Sequence, residues 1–184
     1  MKKIFAFVLA MLMLLSITAC GGADNTTGST NGATNDNGTT APTGSVTDPT
    51  NATLPQLNLS EVYTTIIAGA NMPDMYGVNA EQMLDLYGIR QEHCNQAVVY
   101  LCVNSLRTDE IWLLEAKDAA AMETLKGLVI SRLDQKDAES VTYSPEQNAV
   151  VKAAIVMEIG NYLAMIVSPD AQVIADAFRT ALGI

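Results

Sequence analysis

AVVYLCVNSLRTDEIWLLEA, residues 97 to 116, is the stretch that decides the fold. Two runs rich in Val, Leu, Ile, Tyr and Trp, Ala97 to Val103 and Glu110 to Ala116, flank the polar segment Asn104 to Asp109. Runs of this length and composition, bounded by turn residues, read as strands, and the short spacer makes them a hairpin. Asp118 next caps a long helix whose apolar stripe is Met122, Leu125, Val129 and Leu133. Lys126 and Lys136 are expected to face away from that stripe.

The same order returns downstream. After a loop around Tyr143-Ser144-Pro145, from Thr142 to Asn148, Val150 to Ile159 and Tyr162 to Val167 read as strands joined at Gly160-Asn161. Ser168-Pro169 marks a helix start, with the cap at Ser168 and the proline at the first helical position. Val173, Ile174, Ala177, Phe178, Ala181 and Leu182 line one face of that helix. Two short helices precede both units. The first follows Ser60 and carries Tyr63, Ile66, Ile67 and Ala70. The second opens at Asn79 with Gln82 as capping-box partner, ends at Gly88, and has Met83, Leu84 and Tyr87 on its apolar face. Asn71 to Val78, with Pro73, Asp74 and Gly77, reads as the loop between them. The expected fold class is α+β: an antiparallel sheet of two strand–strand–helix units, preceded by two short helices.

All the expected strands are apolar on both parities, Ile111 and Leu113 against Trp112 and Leu114 for example. A sheet with one wet face alternates apolar and polar residues, so here both faces require cover. The two long helices can take one face. The short helices, or a partner, can take part of the other.

The N-terminus has a different character. Lys2 and Lys3 precede an apolar run from Ile4 to Leu15, which ends in Ile17-Thr18-Ala19-Cys20. This is the pattern of a secretory signal peptide, here residues 1 to 19. The run is shorter than the ~20 residues that cross a bilayer core, and no Lys or Arg occurs from 21 to 47. The cysteine after Ile-Thr-Ala resembles a bacterial lipobox, which implies lipidation of Cys20 and attachment of the mature chain to a membrane through that lipid. Residues 20 to 57 then form a Gly/Asn/Thr-rich linker with too little apolar surface to order itself. A flexible chain of that length has a span of about 30–35 Å. Residues 58 to 184 have the size of a single domain.

That domain holds 8 basic and 17 acidic residues of the chain's 10 and 20. Such a charge disfavours nucleic acid and anionic lipid head groups as partners. Cys94 and Cys102 remain beside Cys20. Export permits a disulfide, but eight residues of strand at ~3.3 Å each exceed the ~7 Å reach of one, unless a tight turn lies between them.

Several further stretches carry a family resemblance: Leu84-Asp85-Leu86-Tyr87-Gly88-Ile89, Leu114-Glu115-Ala116-Lys117-Asp118, Arg132, Tyr143-x-Pro145 and Gly160-Asn161-Tyr162. Together they resemble the small exported lipoproteins of Clostridia and related Gram-positive bacteria classified as a domain of unknown function. The resemblance covers roughly 60 to 182 and implies location and fold, with no activity attached.

The search for chemistry gives little. His93 adjoins Cys94, but neighbours on a strand point to opposite faces, the wrong spacing for a nucleophile and its base. One His and two Cys offer no recognisable zinc set, so no metal or other cofactor is expected. Glu115 and Glu158 sit in otherwise apolar strands, and Arg132 continues the stripe of the long helix. A structural ion pair of Arg132 with one of these glutamates is therefore expected. The loops holding Tyr76, Tyr143 and Asn161, or a less covered sheet face, are the candidate interaction surface. The resulting expectation is a membrane-anchored extracytoplasmic module that binds an envelope protein or other ligand without catalysis. The alternatives are an envelope hydrolase using acidic residues and a solute-binding accessory lipoprotein.

Overall fold

The computed structural model describes residues 54 to 184; the expected signal peptide, Cys20 and most of the expected linker lie outside them. Element order is α1 (Leu59–Ile67), β1 (Met75–Gly77), α2 (Ala80–Tyr87), β2 (Cys94–Cys102), β3 (Glu110–Ala116), α3 (Ala119–Tyr143), α4 (Pro145–Lys152), β4 (Ile155–Ile159), β5 (Tyr162–Val167) and α5 (Ala171–Ala181). The strands form one antiparallel sheet in the order β1-β2-β3-β5-β4. The fold is α+β, with the units β2-β3-α3 and β4-β5-α5 in the expected succession.

The two hairpins lie side by side, with Trp112 opposite Met165 and Leu113 opposite Ala164 across the centre. β3 and β5 are buried along their whole length. Strand alternation sorts their side chains into two cores. Trp112, Leu114, Leu163, Met165 and Val167 pack with Met122, Leu125 and Val129 of α3. Ile111, Leu113, Tyr162, Ala164 and Ile166 pack with Leu59, Val62, Tyr63 and Ile66 of α1 and with Ile174, Ala175 and Phe178 of α5. The long helices thus take opposite faces, contrary to the expectation that they share one. The three layers leave neither face of the central strands open. The repeat is one of element order, since helices on opposite faces are not related by the two-fold that exchanges the hairpins.

Local chemistry explains most boundaries. Asp118 accepts from the Ala121 amide at the start of α3. Asn79 and Gln82 form a reciprocal capping box on α2, and Gly88 ends it at φ 71°. Two serine–proline pairs behave differently from expectation. Ser144 accepts from the Gln147 amide with Pro145 at the first helical position, so the expected loop 142 to 148 is the junction of α3 with α4. Ser168 instead accepts from the Asp170 amide in a turn, and α5 begins two residues later than the proline predicts. α4 also takes Val150 and Val151 from the expected strand, which starts at Ile155. Within the expected loop 71 to 78, Met75 to Gly77 pair with β2 as a short edge strand.

Leu54 to Leu57, the end of the expected linker, lie against the domain. Leu54 and Leu57 pack on the α1/α5 core. The Tyr162 hydroxyl accepts from the Leu57 amide at 3.1 Å and donates to the Pro55 carbonyl at 3.1 Å. Cys94 and Cys102 stand at the two ends of β2 and are unbridged, as the strand geometry requires.

Candidate functional site

β3 begins with a charged residue inside the fold. Glu110 is 0% exposed and shares parity with Trp112 and Leu114, so its carboxylate faces α3. Arg132 and Lys136 lie three and seven residues beyond Val129, on the helix row that meets this face. Glu110 Oε1 accepts from Trp112 Nε1 at 2.7 Å and Arg132 Nε at 2.9 Å. Oε2 accepts from Arg132 Nη2 at 2.7 Å and Lys136 Nζ at 2.8 Å. Lys136, expected to face away from the stripe, is buried with its ammonium against Glu110. Its ammonium head meets a carboxylate at the edge of the cleft.

Burial alone would raise the Glu110 proton affinity. The hydrogen bond from Arg132, then the charges of Lys136 and Arg132, outweigh it and hold the carboxyl below its ordinary value. The Arg132 guanidinium lies 5.2 Å from the centroid of the Tyr87 ring, a cation–π distance. Tyr87 also sits 5.1 Å from Trp112. Burial, and after it Glu110, pushes the Tyr87 phenol up to about 12, so it stays neutral.

This cluster forms the floor of a cleft of about 230 Å³ between β1, the end of β2, the Asn104–Asp109 turn and α3. Tyr76 and Tyr143, 46% and 56% exposed, stand on its walls. On the turn, Arg107 Nε and Nη2 reach Asp109 at 2.8 and 3.2 Å, pairing that buried carboxylate. The sequence thus foresaw three residues of this cleft, Tyr76, Tyr143 and Arg132, without foreseeing that they meet.

The other candidates lie elsewhere. Arg132 pairs with Glu110, neither with Glu115 nor with Glu158. Glu115 has the opposite parity and faces the α1 side. There it accepts from the side-chain amides of Gln56, Asn95, Gln96 and Asn161 at 2.8 to 3.3 Å. Asn161 is therefore at the far end of β3 from Tyr76 and Tyr143, five residues or about 17 Å along the strand. Glu158 is half-exposed and meets Lys126 at 2.9 Å.

A larger hollow of about 470 Å³, between the end of α2 and the start of β2, contains Cys94, Lys117 and Arg90. The Cys94 thiol is pushed up to about 11 by burial, Lys117 opposing only in part, so it is not a thiolate at neutral pH. His93 Nδ1 is buried without a partner among the described residues. No group of three or more His, Cys, Asp or Glu side chains among the described residues is arranged to hold a metal ion.

Residues 68 to 168 match the model of a family described as domain of unknown function DUF4358. The chain belongs to the DUF4358 family. The DUF4358 match runs from β1 through β5 and includes the whole Glu110 cluster and both cleft tyrosines. It leaves out α1 and α5, the two helices of the opposite layer. No curated protein and no solved structure matches the chain significantly.

Proposed function

We propose that this chain is a membrane-anchored extracytoplasmic lipoprotein whose folded part is a non-enzymatic binding module at the cell envelope. Lipid on Cys20 tethers it, the linker spaces it, and the cleft beside Tyr76 and Tyr143 takes the ligand. The lipobox-like Ile17-Thr18-Ala19-Cys20 and the basic, apolar leader support the anchoring.

One observation carries the binding reading. In a fold whose central strands are covered on both faces, two exposed tyrosines converge over a buried carboxylate held by two cations. Exposed aromatic side chains at a polar hollow are typical contact residues. The hydrolase alternative needs two carboxyl groups free to move protons. Asp109, Glu110 and Glu139 line the cleft, but Arg107 occupies the first and four donors fill the second, which leaves one, not two. A carboxylate of lowered proton affinity with filled lone pairs is a poor general acid. The acidic surface disfavours nucleic acid as partner and suits an envelope protein or small ligand.

Two experiments test this. Metabolic labelling with an alkyne fatty acid should mark the wild type in the membrane fraction and leave C20A unlabelled. Label retained in C20A would refute the anchoring. A photo-crosslinking residue at Tyr76 or Tyr143 in intact cells should give a discrete adduct that the same residue at Val156, on the opposite sheet edge, does not. Equal or absent adducts would refute the cleft as the contact site.

A further inference from the structure

The two edges of the sheet differ. β1 has three residues and follows Pro73 by two, and edges that are short or flanked by proline resist further pairing. β4 has five residues, Ile155 to Ile159, in unbroken register with β5, and its outer side pairs with no strand among the described residues. A charge on an edge strand guards it against pairing. The one charge of β4, on Glu158, is met by Lys126 at 2.9 Å.

The hairpin decides which backbone groups are open. Ile159 and Tyr162 flank the two-residue turn Gly160-Asn161 and so exchange both of their hydrogen bonds. Alternation then turns the backbone groups of Ile155, Met157 and Ile159 toward β5 and those of Val156 and Glu158 outward. The side chains of Val156 and Glu158 share parity and lie on the α3 side, where Glu158 meets Lys126. Ile130 stands one turn beyond Lys126 on the same row of α3. Ile130 and Val156 are 59% and 45% exposed, so apolar surface accompanies the open backbone.

A second copy of the chain fits this edge by antiparallel pairing about a two-fold axis, the symmetry of most dimers. Centred on Glu158, such pairing opposes like charges. Centred on Val156, it sets Glu158 against Ala154, whose N–H already donates to the Val151 carbonyl. Centred on Met157, it sets Val156 of each copy against Glu158 of the other and gives all four outward groups of each strand a partner. Charge favours the same arrangement. The turn end of β4 is acidic, with Asp118, Glu123 and Glu158 about Lys126. At the other end Lys152 is 62% exposed and meets Asp137 only at 3.8 Å. Antiparallel pairing lays each Lys152 end beside the acidic end of the other copy.

We propose that β4 pairs with β4 of a second copy, centred on Met157, and joins two sheets into one of ten strands. This strand addition is independent of the cleft on α3 and β1.

A photo-crosslinking residue at Val156 of the full chain in intact cells should give a band at twice the mass of the chain, distinct from any adduct formed at Tyr76 or Tyr143. The purified full-length chain in detergent should dimerise reversibly with concentration in sedimentation equilibrium. V156E and V156K remove the same valine but set opposite charges against Glu158 of the other copy, at two symmetric positions. V156E should therefore dimerise about ten-fold or more weakly than V156K. V156P removes an N–H that serves no bond within the chain. It should lower the dimer fraction and leave the urea unfolding midpoint of the dilute chain near that of wild type. A chain monomeric at every concentration, a V156K dimer as weak as that of V156E, or no double-mass band at Val156 would overturn the proposal. Adducts at Tyr76 and Tyr143 that persist in any of those cases would leave the binding module standing on a monomer.

Discussion

Replacing Glu110 by Gln is the perturbation that the buried cluster makes most sensitive. Glutamine keeps the volume and can still accept from Trp112 Nε1, but it leaves Arg132 and Lys136 facing a neutral amide. Removing one partner of a buried ion pair costs about 3–5 kcal/mol, because the remaining charge is stranded. Domains of this size are stable by only ~5–15 kcal/mol, so the loss is a large share of the total. With a urea slope of ~2 kcal/mol per molar, the unfolding midpoint should fall by about 2 M. K136M supplies the contrast. It removes the second cation, leaves Glu110 and Arg132 paired one to one, and puts an apolar stem where the lysine stem lay. Because Arg132 still pairs with Glu110, no buried charge is stranded, and the midpoint should stay within ~0.5 M of wild type. Urea unfolding followed by Trp112 fluorescence measures both. The pH dependence gives an independent reading. The folded-state proton affinity of Glu110 is below its ordinary value of 4.5, so its contribution is fully present above that pH. It is lost as the pH falls below 4.5 toward the folded-state value. E110Q should lack that part of the acid limb. An E110Q midpoint within ~0.5 M of wild type, or a K136M loss as large as that of E110Q, would refute the account of a saturated carboxylate with a second cation.

Three other outcomes follow from particular contacts. Glu115→Gln places an amide donor among the donors of Gln56, Asn95, Gln96 and Asn161. It should speed hydrogen exchange at the Leu57 and Leu59 amides by a local loss of about 1–3 kcal/mol, with α3 unaffected. Gly160 turns at φ +58°, and a Cβ there would stand 2.5 Å from Leu54 Cδ1. G160A should therefore lose about 1–2 kcal/mol from the backbone alone, measured by urea unfolding. Leu54→Ala in that background should relieve only the remaining, steric part. Cys94 is buried and held as a thiol by the rise to about 11, whereas Cys102 is only partly buried. Iodoacetamide at pH 8 should label Cys102 first by peptide mass mapping, and faster labelling of Cys94 would contradict its burial.

The fold was legible where a local signal and the hydrophobic pattern agreed. β3 occupies Glu110 to Ala116 as read, α3 starts after Asp118, and Asn79 with Gln82 caps α2. The misreadings arose where one signal serves two structures. A serine–proline pair starts a helix at Ser144 and makes a turn at Ser168, because the first is followed directly by helical residues and the second by Asp170. Ala149-Val150-Val151 is as good a helix face as a strand, and α4 claims it. The ion pair was foreseen in type and misassigned in partner. Parity held the correction: Glu110 aligns with Trp112 and Leu114, whereas Glu115 aligns with Ile111 and Leu113. Which parity faces α3 is a tertiary fact, fixed only when the long helices settle on opposite faces. Lys136 was set outside by its charge, although it follows Arg132 by four residues on the same row.

The two buried carboxylates of β3 relate the cleft to the N-terminal attachment. Glu110 opens the strand on the α3 face, with cations as partners. Glu115 lies near its end on the other face and has only amides, among them Gln56 of the segment that enters the domain. Glu115, Gln96 and Tyr162 hold residues 55 to 59 by six contacts with side-chain or backbone groups. The polypeptide therefore enters at one end of the sheet, and the cleft with Tyr76 and Tyr143 opens about 17 Å away along the same strand, on the opposite face. If Cys20 is the anchor, the linker joins the domain at the Glu115 end, away from the cleft. This geometry makes an asymmetric demand on mutants. Loosening the Glu115 latch through E115Q should speed hydrogen exchange in residues 55 to 59 without altering crosslinking from Tyr76 or Tyr143, whereas K136M should leave residues 55 to 59 protected. An E115Q that abolished the Tyr76 and Tyr143 crosslinks would show the two ends to be coupled, and the separation of attachment from recognition would fail.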